Sequence, residues 1–260
     1  MEIQPISAAD LAIAAGLVLA LAAVNFQTAP KLSRDIVIAI IRLMVQLSLI
    51  ALVLKYVFAE RNAVVIGWLG MLMVTLAGWE VQKRLSNGKV IPGTFWVSTL
   101  SMFVSSYVIC VFALLTIISA DPWYHPQYAI PILGMLLGNT LTGVSLSLNR
   151  LRDGFKSQRD IIENRLMLGE DIWQATHSQR REAMTAALIP MINSMAAAGI
   201  VSLPGMMTGQ ILAGSDPELA VRYQILIFLL IAAGTGFGTY LATYFGSKQL
   251  FDERQRLIHF

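Results

Sequence analysis

Residues 36–57 read IVIAIIRLMVQLSLIALVLKYV, an apolar run in which Arg42 and Lys55 are the charged positions. A helix rises 1.5 Å per residue, so about 20 such residues cross the roughly 30 Å of hydrocarbon in a bilayer. A helix on the surface of a soluble protein would show a polar face, and this run has none. Working outward, similar runs occur at about 8–26, 63–82, 94–118, 128–148, 186–212 and 223–246, which predicts seven crossings. Each is too long and too continuously apolar for a barrel strand, which alternates over about ten residues. The first run resembles a signal peptide in length, but its flank carries Glu2 and Asp10 and no Lys or Arg, so it reads as a true span.

Composition agrees. The 260 residues are 56% hydrophobic and 13% charged, against about a quarter charged in a soluble domain. The mean hydropathy is +0.64. That excludes a water-soluble fold and intrinsic disorder, which needs few apolar residues. The expected class is an all-α polytopic membrane protein, with 1–260 forming one transmembrane domain. A net charge of +3 is too small to point to nucleic acid, and the single Cys110 excludes an internal disulfide framework or a CxxC site.

Lys and Arg in short loops set orientation. With the N-terminus outside, the inner side receives Lys31, Arg34, Lys83, Arg84, Lys89, Arg150, Arg152, Lys156, Arg159, Arg165, Arg180, Arg181, Lys248, Arg254 and Arg256. The outer side receives Lys55, Arg61 and Arg222, with Arg42 set aside as intramembrane. The bias predicts an N-out, C-in chain in the cell's inner (plasma) membrane. The hydrophilic segment at about 149–181 then becomes a cytosolic loop. Its apolar positions Ile161, Ile162, Leu166, Leu168 and Ile172 fall near helical spacing, as expected of amphipathic helices extending spans five and six. Such helices suit either the inner leaflet or a cytosolic partner.

Polar groups at membrane depth cost free energy, about 2.5–3.5 kcal/mol for Arg or Asp, so they face the bundle or a cavity. Arg42 lies about two turns into span two and Glu80 near the inner end of span three. Either they form a structural ion pair or they gate a path at the inner mouth. Gln46 shares a face with Arg42. Asn139 in span five and Asn193 in span six are candidate path residues, with interhelical hydrogen bonding the alternative. Two strings share a pattern: Gly134-Met-Leu-Leu-Gly138-Asn139 after Pro131, and Gly205-Met-Met-Thr-Gly209-Gln210 after Pro204. Small residues one turn apart let backbones approach, and proline frees a carbonyl. With Pro190 also present, span six is expected to be kinked or broken. Met206 and Met207 complete the path candidates, since thioethers suit soft ions and also fill core gaps. The metal ligands, if any, are left unassigned.

There is no Gly-x-x-x-x-Gly-Lys-Ser/Thr loop, HExxH or GxSxG, and no lysine in the last span for a retinal Schiff base before Lys248 at its end. The chain reads as no enzyme and holds no cofactor of its own.

The strings Arg42-Leu-Met-Val-Gln46, Gln82-Lys-Arg84, Gly134-Met-Leu-Leu-Gly-Asn139, Pro190-Met-Ile-Asn-Ser-Met195 and Val201-Ser-Leu-Pro-Gly-Met-Met207 resemble the FetB-like family of ABC-transporter permeases. Its bacterial members are described as iron exporters, and plant relatives are linked to aluminium tolerance. The resemblance implies a homodimeric permease driven by a separate cytosolic ABC ATPase, which binds the ATP and Mg. It makes the loop the ATPase-docking element. Within that loop the turn Leu168-Gly169-Glu170-Asp171 is the candidate part that enters the ATPase, since Gly169 can break a helix and Glu170 and Asp171 suit a helix N-terminus. The residues themselves leave open two other classes: a secondary transporter needing no ATPase, and a signalling or assembly protein that moves no solute.

Overall fold

The computed structural model describes residues 6–60, 62–85, 93–252 and 256–258. Glu2, Arg61, Lys89 and Arg254, used above for orientation, lie outside the described residues. Among the described residues the regular structure is helical, with two isolated bridges, Ala198 to Ser202 and Phe251 to Leu257. The chain divides into two compact units, residues 1–61 with 212–214, and the remainder.

The first unit is a helical hairpin of α1 (Ala8–Asn25) and α2 (Pro30–Glu60). Ser7 opens α1 with a reciprocal cap: its Oγ accepts from the Asp10 amide at 3.3 Å, and Asp10 Oδ2 accepts from the Ser7 amide at 2.8 Å. Ser33 Oγ donates to Ala22 O at 2.7 Å across the hairpin. Both helices are long and apolar enough to cross a membrane, and nearly all their side chains stay exposed within the chain. An apolar surface on every side is what lipid contact demands.

The second unit contains α3 (Ala63–Leu85) and a fourth apolar helix, Thr94–Ile118. That helix alternates α4 (Thr94–Met102), a π-helical turn Phe103–Tyr107, α5 (Val108–Ala113) and a second π turn Leu114–Ile118. Then come α6 (Pro126–Ser157), α7 (Arg159–Met167), α8 (Ile172–Ala175), α9 (His177–Ala197), α10 (Gly205–Leu212) and α11 (Pro217–Gln249).

Close approaches fix the directions. Gly70 packs on Tyr107 and Gly78 on Thr99, so α3 and the fourth helix are antiparallel. Gly143 faces Thr235 and Thr239, and Gly246 faces Leu148, so α6 and α11 are parallel. Gly238 faces Ser105 and Gly93 faces Gln249, so the fourth helix opposes α11. Contacts of Gln158 with Gln179 and Arg150 with Glu182 make α9 antiparallel to α6.

Six helices among the described residues are long and apolar enough to span a membrane. The predicted stretch at 186–212 is not one continuous helix but α9 and α10 separated by residues 198–204. The break is not at Pro190, which lies inside α9, just as Pro131 lies inside an uninterrupted α6. It falls where Gly199 takes a φ of +80°, a conformation that costs other L-residues, and ends at Pro204, which has no N–H. The amides of Ile200, Val201 and Ser202 all converge on Ala197 O, at 3.4, 3.0 and 3.2 Å. With Ala198 bonded to Met195 O and Gly199 to Ser202 O, the amides of residues 198–202 all find carbonyl partners.

A Cβ on Gly238 would lie 2.5 Å from Thr140 Cγ2 and 2.7 Å from Ser105 Oγ, whereas one on Gly236 would meet nothing within 4 Å. Gly238→Ala is therefore expected to destabilise the protein by about 1–3 kcal/mol through overpacking. Gly236→Ala, on the same helix, should be neutral or slightly stabilising. Thermal unfolding of both variants in detergent checks the difference.

Candidate functional site

At the end of the second unit that carries α7, the helices build a platform outside the apolar stretches. Leu151 and Phe155 of α6, Ile162 of α7, Ala175 of α8 and Ala183 of α9 enclose a buried core with Leu250, Phe251 and Leu257 of the C-terminal segment. Phe155 and Phe251 meet edge to face at 5.9 Å. Arg159 reaches across to donate to Leu257 O at 3.0 Å and pairs with Glu163 at 2.8 Å. Arg152 donates to Leu85 O at 3.2 Å, tying the end of α3 to α6.

On this core sits the turn from α7 to α8. Gly169 has a φ of +92°, which lets the chain reverse. Glu170 pairs with Arg165 at 3.1 Å. Asp171 caps α8, accepting from the Gln174 amide at 2.7 Å while Gln174 Oε1 accepts from the Asp171 amide. Trp173 stacks on Tyr244 at 4.5 Å, and the Arg180 guanidinium covers its ring at 4.6 Å while donating to Trp173 O at 2.8 Å. Burial lowers the Arg180 pKa from its usual value, with Tyr240, Asp171 and Tyr244 acting in the opposite direction. Every part of the turn is thus braced except its tip, where Met167 and Leu168 are 78% and 85% exposed. Two large apolar side chains held out from a rigid base make a surface that another protein could cover.

A second feature is the groove between α6 and α9. On α6 the exposed positions Gly138, Asn139, Thr142, Leu146 and Arg150 recur every three or four residues and form one stripe. On α9 the matching stripe runs Arg181, Glu182, Thr185, Ile189, Ile192 and Asn193. Arg150 and Glu182 bridge them at 3.4 Å. An open groove of about 840 Å³, lined by Arg150, His177, Arg181, Glu182 and Thr185 among others, lies at that end. Continuing the antiparallel register brings Asn139 level with Asn193, so these two predicted residues share a depth and an exposed face. Asn139 donates to Met135 O at 2.8 Å.

The other predicted path residues are not drawn to this groove. Arg42 and Gln46 lie one turn apart on α2, in the first unit. Glu80 lies 3.6 Å from Arg84 on its own helix. Met206 is partly exposed, and Met207 is buried with its amide donating to Gln224 Oε1 at 3.3 Å. Gly134, Gly138, Gly205 and Gly209 have no close packing partner in the second unit: a Cβ on Gly134 meets only Met73 at 3.7 Å, and the other three meet nothing within 4 Å. Among the described residues no three His, Cys, Asp or Glu side chains gather to hold a metal. Sequence reasoning missed the C-terminal segment of the platform, whose signal was the apolar Leu250, Phe251, Leu257 and Ile258 on either side of a charged stretch.

Phe155 is fully buried at the centre of the platform and Leu168 is almost bare. Phe155→Ala should cost about 3–5 kcal/mol, and Leu168→Ala less than about 0.5 kcal/mol. Urea or thermal denaturation followed by circular dichroism measures both.

A model of the family described as "Uncharacterised protein family (UPF0014)" matches residues 8–251. A UPF0014 membrane protein of Synechocystis sp. is 38% identical over 218 residues, 84% of this chain and 83% of that protein. "Probable iron export permease protein FetB" of Escherichia coli is 32% identical over 258 residues, 99% of this chain and 97% of its own. "Protein ALUMINUM SENSITIVE 3" of Arabidopsis thaliana is 31% identical over 249 residues, 94% of this chain and 88% of its own. No solved structure matches.

Proposed function

This multi-pass membrane protein belongs to the UPF0014 family, and on that premise we propose that it is the permease subunit of an ABC transporter, exporting a metal ion, iron, through energy supplied by a separate ATPase. The observation that carries the reading is the braced turn with Met167 and Leu168 exposed at its tip. An ion pair, a capping box and a stacked tryptophan hold the turn in one shape. A turn that transmits force benefits from such bracing, because a soft contact would absorb the motion it is meant to pass on.

In this reading α7, the turn and α8 face the cytosol. Leu168 and Met167 enter a groove on the ATPase, and Gly169, Glu170 and Asp171 hold the turn in shape. The chain crosses the inner (plasma) membrane seven times, N-out and C-in, with α9 and α10 together making the sixth crossing. A discontinuous helix at membrane depth lines a cavity in the proteins that tolerate one. ATP and Mg stay on the partner. Asn139, Thr142 and Asn193 on the exposed stripes of α6 and α9 are poor company for lipid, which favours a second copy of the chain across them and a path between the two. Glu80 of α3 and Met206 and Met207 of α10 are candidate gate residues within the second unit, and Arg42 and Gln46 of α2 are candidate gate residues within the first. Pro131, Gly134, Gly138, Pro190, Pro204, Gly205 and Gly209 are the positions about which α6, α9 and α10 repack.

Co-expression with a candidate ATPase should give a complex that co-purifies and hydrolyses ATP faster when iron is added in lipid. Leu168→Asp should weaken association at least tenfold, because a charge would enter an apolar groove. Solute movement in liposomes without the ATPase would instead establish a secondary transporter. Assembly without any solute movement would establish a non-transporting role. In the complex, Asn193→Leu should lower transport while leaving ATPase binding unchanged, as isotope flux and pull-down measured side by side would show.

A further inference from the structure

The interface of α4, the first π turn, α6 and α11 contains a run of side chains that the transport reading does not use. Ser98, Ser101, Ser105, Thr235, Thr239 and Thr243 are each at most 2% exposed. Among the described residues, none of their hydroxyl oxygens has a hydrogen-bond partner. A buried hydroxyl without a partner costs about 1–3 kcal/mol, so six in one interface demand an explanation.

The usual remedy is available and is not taken. A Ser or Thr in a membrane helix normally donates to the carbonyl four residues back. Elsewhere in this chain Thr75, Thr116, Thr142, Thr185, Ser194 and Thr208 do so, at 2.7–3.1 Å. Those hydroxyls lie on exposed or partly buried faces, and the buried Ser247 at the end of α11 likewise donates to Thr243 O. The six seam hydroxyls make no such bond.

The register places them together. Gly238 abuts Ser105 and Thr140, Gly143 abuts Thr235 and Thr239, and Ser106 donates to Thr140 at 3.0 Å. The antiparallel pairing of Gly93 with Gln249 and Ser105 with Gly238 then sets Ser98 and Ser101 level with Thr243. The π turn at Phe103–Tyr107 aims both Ser105 and Ser106 into the bundle, and its wider loop leaves a carbonyl without its usual amide. The nearest glycine contacts, at Gly238 and Gly246, lie two turns apart on α11 and hold the helices in place above and below the Thr243 level.

We infer that this seam is a water-binding site: a file of ordered waters, held by neutral hydroxyl and carbonyl oxygens, runs between α4, α6 and α11. Water is the ligand that fits, since each oxygen both donates and accepts and no charged side chain is present to recruit an ion. From Thr235 to Ser247 the seam extends about 18 Å along α11. One end lies beside the platform core, and at the other Leu136 packs on Gly234. Hydroxyls that exchange one water for another let α11 shift against its neighbours, where an apolar contact would lock it.

Isosteric replacement decides the matter by sign. If the seam were dry, Thr235→Val, Thr239→Val and Thr243→Val would each remove an unsatisfied group and raise Tm. If the hydroxyls simply turned to their own helix, Tm would not change. A hydrated seam predicts a fall of about 2–4 °C at each site, because the waters lose a partner. A rise or no change overturns the inference. X-ray radiolytic labelling of the unmodified protein in lipid gives a second reading that needs no variant. Water trapped in the seam should oxidise Leu136, which packs on Gly234 at its end and is 1% exposed, while Phe155 in the platform core stays unmodified. Labelling of Leu136 no greater than that of Phe155 would equally refute it.

Discussion

Hydrocarbon offers no hydrogen bonds, and this fact governs the chain. Every amide and carbonyl at membrane depth must find a partner within the protein, which leaves long helices as the solution for a sequence this apolar. The constraint also explains how the sixth apolar stretch can be interrupted at all. Residues 198–204 depart from the helix, yet three of their amides return to Ala197 O. A break that carries its own hydrogen bonds can sit where an ordinary loop cannot.

The same constraint divides the labour of side chains. In the second unit glycines set the close approaches that fix helix direction, at Gly70, Gly78, Gly143, Gly238 and Gly246. Large apolar residues cover much of the outer surface of the helices, and the interior mixes buried apolar side chains such as Val81, Met102, Leu136 and Ile227 with buried hydroxyls. In the platform Leu151, Phe155, Ile162, Phe251 and Leu257 make a buried apolar cluster beside the hydrophilic 149–181 segment. A core built there is a physical reason to read that end as the one meeting water and a partner.

The helical class was legible because an apolar run of about 20 residues has few alternatives. The helices of the 149–181 segment were legible from the spacing of Ile162, Leu166 and Ile172 around one face. The break in span six was legible as a break but not in place: proline drew the eye to Pro190, whereas the turn required a positive φ, which only Gly199 provides. The depth match of Asn139 and Asn193 needed the register of α6 against α9, which no local pattern encodes. The bracing of the α7–α8 turn was illegible for the same reason, since Trp173, Tyr244 and Leu257 are brought to the platform only by the fold.

The central claim is that the turn at Leu168 projects into the cytosol and is covered by an ATPase. The direct test is a Leu168→Cys, Cys110→Ala variant in sealed, right-side-out membranes, probed with a membrane-impermeant maleimide. The account predicts no labelling until the membrane is opened, rapid labelling afterwards, and protection when the ATPase partner is present. Labelling of intact membranes from the outer face would contradict it.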